Sequence, residues 1–222
     1  MIEISGTLES KPYVDMTVQA MELFGRKPNG FLVHGGQRFR SPGLIRVEGD
    51  WSNSAFFLAA GALGNSIEVS GLSNHSAQGD RAVIDHLSAL SSGRPIISAR
   101  DIPDLIPVLS IVAAANYGAV FTDIQRLRLK ESDRVASTIA MIENLSGKAE
   151  ATESTLTVYG TGLTGGTVKA VNDHRIAMSA AIAATVCHRT VTIIGAECVK
   201  KSYPQFWDEY KRLGGQYEQH IR

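Results

Sequence analysis

The sequence has little of what marks several common classes of protein. It contains two cysteines, Cys187 and Cys198, which are too few for a disulfide framework and indicate reduced thiols in a cytoplasmic protein. It has no apolar run of the length that a signal peptide or a transmembrane helix requires, so we expect no membrane association. Its 22 basic and 22 acidic residues balance, which argues against general binding of nucleic acid. Any anion site must therefore be local.

Motifs for cofactors are also missing. Residues 160–165 have the letters of the dinucleotide fingerprint, but a strand pattern follows where that fingerprint needs a helix, so a hairpin turn is the better interpretation. Residues 195–202 resemble a P-loop, yet Lys200 stands where the second glycine should be. No spacing of cysteine and histidine is typical of a zinc site. We expect neither a metal nor a cofactor.

The sequence does contain a recurring alternation of short strand patterns with longer helical patterns. This rhythm predicts internally repeated α/β units rather than one doubly wound sheet. The composition changes most near Gly49, which predicts a boundary between residues 1–48 and residues 49–222. We expect helices over 10–24, 51–63, 79–90, 103–115, 127–145, 173–186 and 200–213. We expect strands over 2–5, 31–34, 44–47, 66–70, 95–99, 118–124, 148–151, 155–159, 167–170, 190–194 and 216–220, those between 148 and 170 being antiparallel.

The most highly charged segment is 127–134, which follows an apolar strand pattern. On a helix, Lys130, Glu131 and Arg134 would share one arc, opposite an apolar stripe that faces the core. Seen alone, such an arc is a solvated face with charge pairs. However, the cations lie near a helix N-terminus, where the macrodipole disfavours them. A bound anion would reverse the sign of that interaction.

Other helix starts carry the same signal. Lys11, Arg175 and Lys201 each lie at a predicted helix start, and Asp104 lies at another. Each start taken alone is explained by ordinary capping. Together they predict helix N-termini that converge on a multiply charged anion, with Asp104 and Glu131 as candidates for proton transfer. Of the six histidines, only His174 lies in such a setting.

Seven short segments occur in the order and at about the spacings of one family, across essentially the whole chain. They are Ser-Lys-Pro-Tyr at 10–13, Glu-Gly-Asp at 48–50, Gln-Gly-Asp at 78–80, Ile-Pro-Asp at 102–104, Leu-Lys-Glu-Ser-Asp-Arg at 129–134, Asn-Asp-His-Arg at 172–175 and the segment around Lys201. They resemble the EPSP synthases (3-phosphoshikimate 1-carboxyvinyltransferases) of the enolpyruvyl transferase family.

The resemblance implies a fold of repeated βαβαββ units, the inverse α/β barrel of that family. Residues 1–48 would be the last repeat of the N-terminal-side lobe, and residues 49–222 would be the C-terminal lobe. The chain would then be a fragment that begins inside a fold. Its partner would be the N-terminal half of the same enzyme, and we expect the chain alone to be inactive or nearly so.

The implied reaction belongs to the shikimate pathway of aromatic amino acid biosynthesis. It moves the carboxyvinyl group of phosphoenolpyruvate onto the 5-hydroxyl of shikimate 3-phosphate and releases phosphate, by addition and then elimination. Asp104 would be the base near the attacking hydroxyl, and Glu131 would exchange protons with the methylene carbon. Lys130 would contact the shikimate hydroxyl and the developing charges.

The resemblance also assigns residues to each substrate. Phosphoenolpyruvate would be held by Arg134, Arg175 and Lys201, with Asp173 in support. Shikimate 3-phosphate would be contacted by Ser10, Tyr13, Asp104 and Lys130. Arg126 stands where many members have an asparagine that contacts this substrate, so its contribution is open.

Two other functions remain compatible with the sequence. The first is the sister reaction, in which the same group is transferred to UDP-N-acetylglucosamine. Those enzymes share the fold and the donor but usually lack the paired Lys-Glu-Ser-Asp-Arg and Asp-His-Arg segments. The second is a non-catalytic domain of the same fold, which should have lost the charged set that is present here.

Overall fold

Three apolar helices form the centre of the computed structural model, which describes residues 2–220. They are α2 (Trp51–Ala62), α4 (Ile106–Ala115) and α6 (His174–Ala184), and each packs against the other two. Nearly every side chain of α4 and α6 is buried. Their many alanines and other small side chains let the helices pack closely. Because these helices are buried on every side, their segments have apolar residues on all sides.

A four-stranded sheet lies against these helices. β1 (Ile96–Ser98) pairs in parallel with β2 (Gly118–Thr122), as expected for strands joined through α4. β4 (Thr155–Tyr159) pairs antiparallel with both β2 and β3 (Lys148–Ala151), which gives the strand order β1-β2-β4-β3. The expected β3–β4 hairpin is therefore confirmed.

A second, two-stranded sheet contains β5 (Gly166–Lys169) and β6 (Val191–Ile194), which are parallel. Because α6 connects them, they form a βαβ unit. The prediction that β5 continues the antiparallel β3–β4 pair is wrong. The hairpin turn expected over 160–165 is wrong for the same reason, since this segment connects strands of two different sheets.

Two expected helices are each divided by a non-helical segment into a 3₁₀ helix and an α-helix, whereas the one expected over 79–90 is a 3₁₀ helix that continues directly into an α-helix. In the first, a turn over 130–133 separates the 3₁₀ helix Gln125–Leu129 from α5 (Arg134–Asn144), because the Asp133 side chain accepts a hydrogen bond from the N–H of Ala136 and caps α5 there. The prediction that Lys130 and Glu131 share a helical arc with Arg134 is therefore wrong.

The second divided helix is the one expected over 200–213. The 3₁₀ helix Ala196–Lys201 covers the start of this range and ends at Lys201, and α7 (Phe206–Arg212) begins five residues after that end. Pro204 disfavours helical backbone at Tyr203, so the two elements do not fuse. The remaining helices are α1 (Lys11–Leu23), α3 (Val83–Ser92) and the 3₁₀ helix Gly79–Ala82.

Five expected strands are not strands in the structure: 2–5, 31–34, 44–47, 66–70 and 216–220. An alternating pattern forms a strand only where another strand supplies hydrogen-bond partners, and within residues 2–220 these segments have none. Near the first two of these segments, the backbone forms an isolated β-bridge between Asn29 and Leu32, and the N–H of Ile2 donates a hydrogen bond to the carbonyl of Phe31.

The α/β class expected from the sequence is confirmed. The buried hydrophobic side chains of the described residues begin at Trp51, and the division into residues 1–48 and 49–222 stays a prediction. No helix within residues 2–220 is both long enough and apolar enough to cross a membrane.

Candidate active site

Asp104 lies in the turn before α4, and its carboxylate is approached by four side chains. Its Oδ1 is 2.7 Å from Nη1 of Arg134 and 3.7 Å from Nζ of Lys130. Its Oδ2 accepts hydrogen bonds from Nη2 of Arg175 at 3.1 Å and from the hydroxyl of Tyr13 at 3.1 Å. Residues from α1, α5, α6 and the turn before α5 therefore meet at one carboxylate, as the sequence predicted for several of these helix starts.

The starts of α5 and α6 hold the two arginines in place. Arg134 is the first residue of α5, directly after its cap Asp133. Arg175 is the second residue of α6, whose cap Asp173 accepts a hydrogen bond from the Arg175 N–H at 3.0 Å. Both guanidinium groups thus project from first helical turns, where the macrodipole adds positive potential.

Arg134 is fully buried and is surrounded by carboxylates. Its Nε donates to Oδ2 of Asp173 at 3.0 Å, its Nη2 donates to Glu131, and its Nη1 donates to Asp104. Asp173 is also fully buried and accepts a further hydrogen bond from Ser132. A buried arginine is stable only when it is paired in this way. The sequence placed Arg134 on the arc opposite the core-facing stripe, but the structure buries its side chain completely.

This arrangement fixes the charge states of two groups. Burial would raise the pKa of Asp104, but the charges of Arg175, Arg134 and Lys130 outweigh it and lower the pKa to about 2. Burial likewise disfavours the charge on Arg134, yet the neighbouring carboxylates, Asp173 first, raise its pKa. Asp104 is therefore ionised at neutral pH, and Arg134 keeps its charge.

Arg175 and its neighbour His174 have buried polar nitrogen atoms without a partner. The Nε and Nη1 of Arg175 have no hydrogen-bond partner among the described residues, although its side chain is only 9% exposed. Both ring nitrogens of His174 are in the same condition. Burial, together with the charge of Arg175, lowers the pKa of His174, so this ring is neutral at pH 7. Arg175 thus offers unused donors beside Asp104.

The expected contact residues for shikimate 3-phosphate come together at the start of α1. Ser10 precedes α1 in a left-handed conformation (φ 55°), and its hydroxyl accepts a hydrogen bond from Nη1 of Arg126 at 3.1 Å. The Nε of Arg126 lies 3.3 Å from Glu9. Burial and the carboxylates of Asp104 and Asp80 raise the pKa of Tyr13, so its hydroxyl stays a donor.

Two predicted basic residues lie differently from expectation. Lys201 is the last residue of a 3₁₀ helix rather than the start of α7, and its Nζ donates to the carbonyl of Asn172 at 2.8 Å, beside the start of α6. Lys11 does not join the site, because its Nζ pairs with Asp15 on the solvent-facing side of α1.

Asp80 is a buried acid that the sequence interpretation did not single out as functional. Its Oδ2 accepts a hydrogen bond from the Ser52 hydroxyl at 2.5 Å, and its Oδ1 has no partner among the described residues. Burial raises its pKa to about 6, and Asp104 adds to this, whereas the hydrogen bond from Ser52 opposes it. The Gln-Gly-Asp segment was the available signal, although it gave no sign that the carboxylate would be buried.

No group of three or more His, Cys, Asp or Glu side chains within residues 2–220 is arranged to hold a metal ion. The charged residues that do come together are three cations and three carboxylates. They are Asp104, Lys130, Glu131, Arg134, Asp173 and Arg175.

Comparisons with known proteins identify the family. A family model described as EPSP synthase (3-phosphoshikimate 1-carboxyvinyltransferase) matches residues 1–210. A 3-phosphoshikimate 1-carboxyvinyltransferase of Clostridium acetobutylicum is 39% identical over 236 aligned positions, which cover 97% of this chain and 55% of the relative. One from Clostridium perfringens is 39% identical, with 96% of this chain and 56% of the relative covered.

A solved structure of an EPSP synthase from Acinetobacter baumannii superposes with a TM-score of 0.75 at 25% identity, covering 89% of this chain and 54% of that one. The fold is therefore that of the enolpyruvyl transferases, as the sequence segments had suggested. The chain spans about half the length of the curated relatives that it matches.

Proposed function

Because this chain belongs to the EPSP synthase family, we propose that it supplies one half of the active site of a 3-phosphoshikimate 1-carboxyvinyltransferase. The other half would come from the N-terminal part that the relatives have and that this chain does not span. The assembled enzyme would transfer the carboxyvinyl group of phosphoenolpyruvate to the 5-hydroxyl of shikimate 3-phosphate in the shikimate pathway. We further propose a cytoplasmic location, which cell fractionation would test.

The observation that carries this proposal is the convergence of basic side chains on Asp104 at the starts of α5 and α6. Arg134 and Arg175 are forked donors that match a carboxylate or a phosphate. Lys201 lies beside the start of α6. These three residues would hold phosphoenolpyruvate, while buried Asp173 keeps the Arg134 guanidinium in position.

The acceptor would lie on the side of the site formed by α1. Ser10 would bind its phosphate, Tyr13 would line the pocket, and Lys130 would contact its hydroxyl groups. Arg126 joins this group through its hydrogen bond to Ser10.

Two carboxylates would divide the proton transfers. In the addition step, the acceptor oxygen bonds to the central carbon of phosphoenolpyruvate while Asp104 takes the hydroxyl proton. Glu131, which is 40% exposed, would deliver a proton to the methylene carbon and so form a methyl group. In the elimination step, the methyl group returns a proton, the bond from carbon to the phosphate oxygen breaks, and phosphate leaves.

The choice of acceptor tests this proposal. The chain is mixed with the N-terminal part of the Clostridium acetobutylicum relative, and phosphate release from phosphoenolpyruvate is measured with either shikimate 3-phosphate or UDP-N-acetylglucosamine. We expect release with shikimate 3-phosphate only. Release with the nucleotide sugar alone would assign the chain to the sister reaction. Release with neither acceptor, from halves that are shown to associate, would indicate a non-catalytic domain.

A further inference from the structure

The six charged residues around Asp104 form internal ion pairs. Three cations, Lys130, Arg134 and Arg175, face three carboxylates, of which Asp104 contacts all three cations. Arg134 uses each of its three nitrogens on a carboxylate. Because these cations are already paired with carboxylates, a multiply charged anion that binds to them must open some of the internal pairs.

Asp104 is the carboxylate that can be displaced from both arginines, because it pairs with the guanidinium groups of Arg134 and Arg175, whereas Glu131 pairs only with Arg134. Asp173 cannot, because it is fully buried and also caps α6. Asp104 belongs to a turn rather than to a helix, and its side chain is 15% exposed. Its two oxygens accept hydrogen bonds from the guanidinium groups of Arg134 and Arg175, which an incoming anion would also need as donors. Arg175 adds two buried donor nitrogens that Asp104 does not use.

We propose that Asp104 sets the anion affinity of this site, because its carboxylate occupies the place of a substrate anion on Arg134 and Arg175 and must be displaced when that anion binds. The identity of the anion as phosphoenolpyruvate rests on the proposed function. The displacement itself requires only an anion with phosphate or carboxylate oxygens.

The displacement has a chemical consequence. While Asp104 is held by two arginines and Lys130, its pKa of about 2 makes it a poor proton acceptor. An anion that takes over those donors removes their stabilisation of the Asp104 carboxylate and adds a like charge nearby, and both changes raise the proton affinity of Asp104. The arrival of the donor substrate therefore converts Asp104 from an ion-pair partner into a base.

Direct titration of the folded chain with inorganic phosphate and with phosphoenolpyruvate, followed by calorimetry at pH 7, tests the inference. Asp104→Asn keeps the shape of the side chain but removes its charge, so we expect phosphate to bind at least about tenfold more tightly than to the unmodified chain. The control is Asp123→Asn, which removes an aspartate that is paired with Arg100 outside the site, and here we expect no change. A residue with a purely structural role would not tighten binding when it is replaced.

Unchanged or weaker phosphate binding by Asp104→Asn would overturn the inference, and so would a failure of both chains to bind phosphate. A crystal structure of the unmodified chain with phosphoenolpyruvate provides a second measurement that does not depend on the folding of the variant. We expect Oδ2 of Asp104 and Nη2 of Arg175, which are 3.1 Å apart in the structure described here, to separate beyond hydrogen-bond distance. An intact pair in the complex would contradict the displacement.

The two proposals can fail separately. Tighter phosphate binding by Asp104→Asn, together with no turnover of phosphoenolpyruvate by the assembled enzyme, would support the displacement and contradict the proposed function. Normal turnover by the assembled enzyme, together with weaker phosphate binding by Asp104→Asn, would support the proposed function and contradict the displacement.

Discussion

The buried pair of Arg134 and Asp173 shows how single residues organise this site. Neither side chain is exposed to solvent, so each is tolerated only because the other compensates its charge. The pair also joins the first turn of α5 to the cap of α6, which fixes the distance between two helix starts. Asp104, Glu131 and Arg175 are then arranged around a rigid centre.

The sequence identified these residues, but it did not predict how they are arranged. Segments 129–134 and 172–175 were singled out for their charges at helix starts, and the structure brings them together. What could not be predicted is that Arg134 is buried, because a helical wheel places it opposite the apolar stripe. Three carboxylates from different segments make its burial possible, and such a long-range set has no local sequence signal.

Asp80 gives a prediction about pH at the residue scale. Its pKa is about 6 in the folded chain, against 3.8 for an exposed aspartate, so between these values the folded chain keeps a proton that the unfolded chain releases. The free energy of unfolding therefore falls as the pH rises from 4 to 6, by roughly 2 kcal/mol from this residue. Asp80→Asn is neutral throughout and can still accept from Ser52, so it should remove this fall.

Urea unfolding at pH 4, 5, 6 and 7 measures the effect. The difference in unfolding free energy between Asp80→Asn and the unmodified chain should grow in favour of the variant as the pH rises. A constant difference would contradict the assignment.

At the scale of elements, the helices were predicted better than the strands. A capped apolar helix such as α2 is specified by its own residues, because Asp50 accepts from the N–H groups of Ser52 and Asn53. A strand is specified by its neighbour, and residues 31–34 and 44–47 have no neighbouring strand within residues 2–220. The pairing direction of β5 follows from its connection through α6, which no local pattern reveals.

The start of α5 provides the prediction at this scale. The Asp133 carboxylate accepts a hydrogen bond from the N–H of Ala136 at 3.0 Å, and the helix it caps carries Arg134 as its first residue. Asp133→Ala should lower the free energy of unfolding by about 1 kcal/mol and weaken phosphate binding, because the first turn that positions Arg134 loosens.

Asp133→Asn is the matched variant, since asparagine caps helices about as well as aspartate. It should restore most of the stability, as measured by urea unfolding. If both variants lose equal stability, the role of Asp133 lies in its charge and its contact with Arg128 rather than in capping.

At the scale of the whole molecule, the chain combines a well-packed core with a segment that lacks one. The buried hydrophobic residues begin at Trp51, whereas Leu44 and Val47 are 98% and 86% exposed. The chain also spans about half the length of its relatives. Its charged site is assembled from α1, α5, α6 and the turns before α4 and α5, and the proposed function requires further groups from the part that it does not span.

Phosphate release from phosphoenolpyruvate and shikimate 3-phosphate tests this central claim most directly, with the chain alone and after addition of the N-terminal part of the Clostridium acetobutylicum relative. We predict release only in the mixture, and its loss when the chain carries Asp104→Asn, because the base is then missing. Normal turnover by the chain alone would contradict the claim that it holds half a site. Turnover by the mixture that is unaffected by Asp104→Asn would contradict the role of Asp104.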